Sequence, residues 1–208
     1  KVVWLELDLN RSALVPIAVS LGFEYHHCTS EYLMLTYSIV KGSFIPPYAS
    51  HYIGAGGVVI NQKDELLVVV ENRGNVPNSK PSYKLPGGTI KEGEHISEGV
   101  VREVLEETGI DTEFESIICF RNLHGYRFAK SDIYFVCLLT PKNSEIVIQT
   151  EEIEESIWMP IKQYLADDRV SLFNKRIVED SVKSKGLSIE IIDGFRTPEQ
   201  QEAFMPVF

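Results

Sequence analysis

Glu103, Glu106 and Glu107 lie three, one and four residues apart in the stretch GVVREVLEETGI. On a helix such spacings make neighbours, and neighbouring carboxylates repel one another. A hard divalent cation among them would remove that penalty, because Mg2+ takes oxygen ligands and bridges carboxylates to phosphate oxygens. An acidic helix face turned to solvent would carry the same three residues, so the triplet alone leaves both readings open. Arg102, one turn before Glu106, can clasp a carboxylate through two parallel hydrogen bonds, and Glu94 in the preceding loop is the best placed partner. Gly87, Gly88 and Gly93 allow that loop turns tight enough to bring Glu94 and main-chain groups close to a ligand.

The elements that must position these groups are legible as patterns. At about 100° per residue, Val100, Val101, Val104, Leu105 and Thr108 share one side of a helix predicted from about Ser97 to Thr108. The three glutamates are expected on the opposite side, pointing away from the core. Gly109 stands where a left-handed cap ends the helix. Upstream, YIGAGGVVI and ELLVVVEN read as strands joined by NQKDE, followed by the polar loop RGNVPNSKPS. Downstream, EFESIICFRNLH and DIYFVCLLT read as strands, TEEIEESIWMPIKQYLAD ends in a short helix, and a longer helix is predicted from about Val170 to Ser184.

Residues 1–45 carry a separate pattern. VVWLELDL, FEYHH and YLMLTYSIV suggest strands, and a helix is predicted from about Arg11 to Gly22 with Pro16 at a kink or in the first turn. KGSFIPPYASH interrupts the apolar pattern with Pro46 and Pro47, which places a linker at residues 46–52 and a second domain at 53–208. Strands and helices mix without regular β-α-β alternation, so the expected class is α/β (α+β): a mixed sheet between helices.

Composition narrows the partners. Twenty Lys and Arg against 30 Asp and Glu give a formal charge of -10, with no basic run to bind long nucleic acid or an anionic membrane. An anionic substrate would therefore need a cation between itself and the protein. Cys28, Cys119 and Cys137 lack paired metal or redox spacing and read as buried free thiols in a reducing compartment. With no apolar run of about 18 residues and no signal-peptide pattern at the visible N-terminus, the expectation is a cytoplasmic protein.

Gly88, five residues, Glu94, seven residues, then REVLEETGI with aliphatic Val104 and Ile110 matches every fixed position of the Nudix box, and the chain resembles the Nudix hydrolases. VVWLELDLNRSALVPIAVSLGFEYHH, PPYASHYIGAGGVV, FAKSDIYFVCLL and IWMP further resemble the subfamily joining plant ADP-ribose and NADH Nudix hydrolases to a vertebrate protein encoded antisense to a fibroblast growth factor gene. The resemblance covers roughly residues 1 to 165. It implies a Nudix fold behind a small N-terminal domain involved in dimerisation, and hydrolysis of a nucleoside diphosphate derivative with Mg2+ or Mn2+. It further implies Glu103, Glu106 and Glu107 as metal ligands, Glu94 and Arg102 as an orienting pair, and the Gly88 carbonyl as an additional ligand. Two features depart from the subfamily: the loop ENRGNVPNSKPSYKLPGG is longer, and Tyr83 replaces a tryptophan before the proline-glycine turn.

Hydrolysis of a pyrophosphate also needs a base for the attacking water. The resemblance leaves two sources for it, a box glutamate or a glutamate from a later loop; TEEIEESIW offers Glu151, Glu152, Glu154 and Glu155, of which Glu154 is the choice made. Flat partners for adenine or nicotinamide are sought among Tyr83, Phe120, Tyr126 and Phe128, each of which would equally serve as a strand or core aromatic. Arg121 and Lys130 are candidates for phosphate, with Lys130, Ser131 and Asp132 matching the subfamily KSD. The expected reaction is release of AMP from ADP-ribose or NADH. The same chemistry on dinucleoside polyphosphates, CoA or capped RNA, and a binding module without turnover, are the competing readings. All box glutamates are retained, which weighs against the last.

Overall fold

The computed structural model describes residues 1–72, 82–192, 197 and 199–207. The chain divides into two compact units, Lys1–Ser50 and His51–Phe208. Half of the long loop expected to set the chain apart from its subfamily, residues 73–81, lies outside the described residues.

In the first unit, β1 (Val2–Asp8) is followed by a 3-10 segment, Leu9–Leu14, and a short α1 (Val15–Ser20). Pro16 stands in the first turn of α1, where its missing N–H costs nothing, so the proline starts the α-helix rather than kinking it. Two further strands, β2 (Glu24–Cys28) and β3 (Tyr32–Ser38), complete an antiparallel sheet of order β1-β3-β2. Leu7, Ala18 and Leu35 form its small core. Cys28 is exposed and Cys119 half-buried, so of the three thiols only Cys137 has the buried position expected of all.

The second unit begins with β4 (His51–Val59), so the last two residues assigned to the linker belong to a strand. It continues through β5 (Glu65–Glu71), β6 (Gly87–Thr89), α2 (Ile96–Thr108), β7 (Thr112–Leu123), β8 (Ser131–Pro141) and β9 (Ile153–Pro160). Two helices, α3 (Ile161–Ala166) and α4 (Leu172–Ser181), precede the short strands β10 (Leu187–Ile189) and β11 (Phe204–Pro206). The main sheet has the order β11-β10-β7-β8-β4-β6, with β4 and β8 parallel, and β5 pairs with β9 in a second sheet.

Strand alternation sorts the apolar residues into two layers. Val58, Leu66, Val68 and Val136 pack with Tyr164, Ile177 and Val178 of α3 and α4. Their neighbours Val59, Leu67 and Cys137 pack with Val100 and Val104 of α2. The sheets are thus covered by helices on both sides, which is the mixed α+β sandwich expected from the sequence.

Helix α2 stops at Gly109, whose φ of 71° is left-handed and whose N–H donates to the carbonyl of Leu105. A Cβ there would stand 2.9 Å from that of Val147. Gly109→Ala is expected to cost about 1–2 kcal/mol, read as a lowered denaturation midpoint, because both the backbone conformation and the contact oppose it.

Candidate active site

The apolar face of α2 holds the helix against the sheet, but it is rotated from the face drawn on the sequence. Leu105, placed there on the apolar side, is 46% exposed, whereas Glu107, placed on the outward side, is buried. Helix geometry explains the correction: Glu107 is seven residues beyond Val100, about 20° short of two full turns, so it follows Val100 inward. Its carboxylate does not go unpaired. Oε2 accepts the Gly87 N–H at 2.9 Å.

Glu103 lies on the flank of the same face and meets Gly88. A Cβ on Gly88 would come 2.5 Å from Glu103 Oε2, so any larger residue there would push this carboxylate aside. Glu106 is one step further round and 48% exposed on its side chain.

Arg102 ties the group together. Its Nε donates to Glu94 Oε1 at 2.6 Å and its Nη2 to Glu94 Oε2 at 2.8 Å, a two-bond clasp. Nη1 donates to Glu103 Oε1 at 2.8 Å and Glu106 Oε2 at 3.0 Å, and Nη2 also reaches the Thr89 carbonyl at 3.2 Å. Glu94 in turn accepts the Lys91 N–H at 2.8 Å. The guanidinium holds the Glu94 carboxyl down at about 2, while the carboxylates, Glu94 first, raise Arg102 above its ordinary value. Burial pushes Glu107 up to about 7 against the pull of the Gly87 N–H, and the charges of Glu103, Glu71 and Glu152 push the same way.

Beside this cluster, Gly87 and Gly88 form part of the wall of a cleft of about 650 Å³. Tyr52, Lys84, Arg121 and Tyr126 contribute its polar and aromatic surface, and Phe173 and Asn174 of α4 close another side. Arg121 Nη2 donates to Asp132 Oδ2 at 3.1 Å, and its guanidinium stands 5.3 Å over the Tyr134 ring. Tyr126 meets Tyr52 edge-on at 5.9 Å, and Lys130 Nζ lies 5.4 Å over the Tyr52 ring.

Residues 50–180 match the NUDIX domain family, and residues 1–39 match a Nudix hydrolase domain. The chain belongs to the Nudix family. It is 46% identical over 184 residues to Nudix hydrolase 8 of Arabidopsis thaliana, covering 86% of this chain and 49% of the relative. It is 34% identical over 172 residues to nucleoside diphosphate-linked moiety X motif 6 of Xenopus laevis, covering 81% and 78%. The chain therefore spans about half the length of the Arabidopsis relative. Among solved structures, a Nudix hydrolase from Nitrosomonas europaea superposes with a TM-score of 0.56 at 19% identity, covering 72% of this chain and 99% of that one.

On the Nudix framework the sequence-predicted residues separate. Glu94, Arg102, Glu103, Glu106, Glu107 and Gly88 come together at α2 and β6. Arg121 and Tyr126 line the cleft, and Lys130 stands beside it on Tyr52. Tyr83 does not line it: the ring is in the core, its hydroxyl donates to Glu155 Oε2 at 3.2 Å, and Arg169 covers it at 4.7 Å. Lys84 pairs with Val69 and is the residue that lines the cleft, so strand alternation sends Tyr83 the other way. Phe128 is 86% exposed with φ of 53° and lines no part of the cleft, and Phe120 borders a different groove. Glu152 and Glu154 are both exposed, Glu154 where the β5–β9 register shifts. The sequence reading missed Tyr52, Lys84 and Glu71; Tyr52 opens YIGAGGVV and Lys84 immediately precedes LPGG, but no spacing singles them out.

The buried Glu107 gives a pH prediction for the chain in EDTA. Its folded value of about 7 lies above the ordinary 4.5, so the folded state binds the extra proton between those values. Stability is then fully present below about 4.5 and lost as pH rises through 7, by on the order of 3 kcal/mol. Denaturation midpoints measured from pH 5 to 8 should fall, and Glu107→Gln should flatten that fall.

Proposed function

We propose that the chain hydrolyses the pyrophosphate of a nucleoside diphosphate derivative, most specifically ADP-ribose or NADH, and releases AMP with the help of Mg2+ or Mn2+. The observation that carries this reading is the two-bond Glu94–Arg102 clasp that sets Glu103 against Gly88 at the wall of a cleft wide enough for a nucleotide. Relatives named for nucleoside diphosphate-linked substrates support the substrate class.

No group of three His, Cys, Asp or Glu side chains among the described residues is arranged as a ready metal cage. The donor set nevertheless fits a hard cation: Glu103, Glu106 and Glu107 offer carboxylate oxygens and Gly88 a carbonyl, and Glu107, raised chiefly by burial, also feels the neighbouring carboxylate charges. Arg102 Nη1 donates to one oxygen of Glu103 and one of Glu106, which leaves the second oxygen of each for such a cation. Once bound there, the metal would neutralise the phosphates and make water a better nucleophile.

The chain's own residues do the remaining work. Arg121 and Lys84 line the cleft paired with Asp132 and with Glu71, Lys84 Nζ at 2.6 Å from Glu71 Oε2, and in this reading they exchange those carboxylates for the diphosphate, with Lys130 beside them. Tyr126 and Tyr52 offer ring edges and faces for a base. Glu154 stands as the sequence choice for water's base, with Glu152, whose charge adds to that on Glu107, as the alternative from the same segment. Glu152→Gln and Glu154→Gln, measured side by side on one substrate, should separate them: the base should lose about 10²-fold in kcat and the other residue much less.

The Lys1–Ser50 unit serves as a homodimer module in this reading, supported by exposed Leu9, Ile17, Leu21 and Phe44. The acidic balance argues against long nucleic acid as substrate. No helix among the described residues is long and apolar enough to cross a membrane, and a cytoplasmic location is proposed with the cytoplasmic chemistry of the substrate. A panel of ADP-ribose, NADH, dinucleoside polyphosphate, CoA and capped RNA with Mg2+ tests the substrate. ADP-ribose or NADH should be turned over fastest; binding of any of them without turnover would favour a regulatory module.

A further inference from the structure

Helix α2 has no N-terminal cap of its own. His95 stands at the cap position and its side chain accepts no hydrogen bond from the first turn. The partner comes from the far end of the chain. Glu202 accepts the Ile96 N–H through Oε2 at 2.8 Å and the Ser97 N–H through Oε1 at 3.3 Å, and the Ser97 hydroxyl also donates to Oε1. His95 Nδ1 lies 3.9 Å from Oε2. The Glu202 side chain is 9% exposed, so the carboxylate is enclosed at the positive end of the helix.

The segment carrying Glu202 is itself fixed. Strand β11 begins two residues later, pairs with β10, and β10 pairs with β7 at Leu187 and Ile117. The Phe204 ring stands 5.9 Å from Phe114 and packs against the cluster that holds Val100 and Val104. One end of α2 is thereby tied to the main sheet through a strap, by polar bonds at its first turn in addition to the packing of its apolar face.

We infer that Glu202 is a positioning residue for the Nudix helix: by binding the first turn of α2 to the β10–β11 strap, it sets where Arg102, Glu103, Glu106 and Glu107 stand against Gly88. The inference rests on α2 being the catalytic helix of the proposed reaction. Displacement of reacting groups by about 1 Å costs up to about 10²-fold in rate. A cap that only stabilises a helix would leave kcat untouched.

The test separates the two roles by supplying a local cap. Glu202→Ala should lower kcat for ADP-ribose about tenfold or more with KM little changed, and lower the denaturation midpoint by about 2–4 °C. Combining it with His95→Asp, with His95→Asp alone as reference, gives α2 a cap from its own chain that is not tied to the strap. The midpoint should return and kcat should not. Recovery of kcat together with the midpoint, or unchanged kcat in Glu202→Ala, would overturn the inference. Hydrogen exchange gives a readout that survives failure of the proposed reaction. In Glu202→Ala, faster exchange should extend along α2 as far as Arg102 and Glu103; a change confined to Ile96 and Ser97 would reduce Glu202 to a cap.

Discussion

Replacing Glu106 by Gln should lower AMP release by about 10³-fold while the protein stays folded. The side chain is half exposed, and its contacts are Arg102 Nη1 at 3.0 Å and Lys91 Nζ at 3.8 Å, both reaching it from the surface of the helix. Substitutions at such positions change stability by no more than about 0.5 kcal/mol. The amide keeps the shape and loses the charge, so the loss of rate isolates what the charge does. A carboxylate with no part in stabilising phosphate chemistry would be replaceable here at little cost in kcat. Parallel denaturation curves for the two proteins are needed, since a shifted curve would put the loss down to folding.

Arg102→Ala should damage stability and activity together. The guanidinium donates to both oxygens of Glu94, whose side chain is 14% exposed, and removing it leaves that carboxylate with the Lys91 N–H alone among the bonds described. A destabilisation of about 2–3 kcal/mol at pH 7 is expected, with a fall in kcat of at least about 10²-fold as Glu103 and Glu106 lose their common partner. The pH dependence has a definite sign. Glu94 is held at about 2 in the folded state, below its ordinary 4.5, so its contribution is present above about 4.5 and lost as pH falls through 2. The gap between wild type and variant should therefore be widest near neutral pH and close in acid. A gap of the same size at pH 7 and pH 2 would mean that Arg102 acts through packing rather than charge.

The parts of the site that are local in sequence were legible from it. The ends of α2 follow from the 3.6-residue pattern and Gly109, and the Glu94–Arg102 clasp spans a single turn between β6 and the helix. Glu107 was misplaced because the apolar stripe was extended through Val101 to Leu105. The buried arc runs instead through Glu107, Val100, Val104 and Thr108. A glutamate beside Val100 reads as solvent-facing unless the Gly87 N–H waiting for it is known. Tyr83 was placed in the cleft, where Lys84 stands instead, for a similar reason: which face of a strand turns to the cleft depends on its pairing with Val69, a long-range contact. Glu202 was out of reach altogether, since its partners on α2 are more than a hundred residues away and no spacing rule connects them.

The central claim, metal-dependent hydrolysis at the α2 carboxylates, is tested most directly by AMP release from ADP-ribose and NADH by the purified chain, with Mg2+ and after EDTA. AMP should appear only with the metal, stop on chelation and resume when Mg2+ is restored. Turnover that persists in EDTA, or no turnover of either substrate with Mg2+ or Mn2+ by a folded chain, would contradict it.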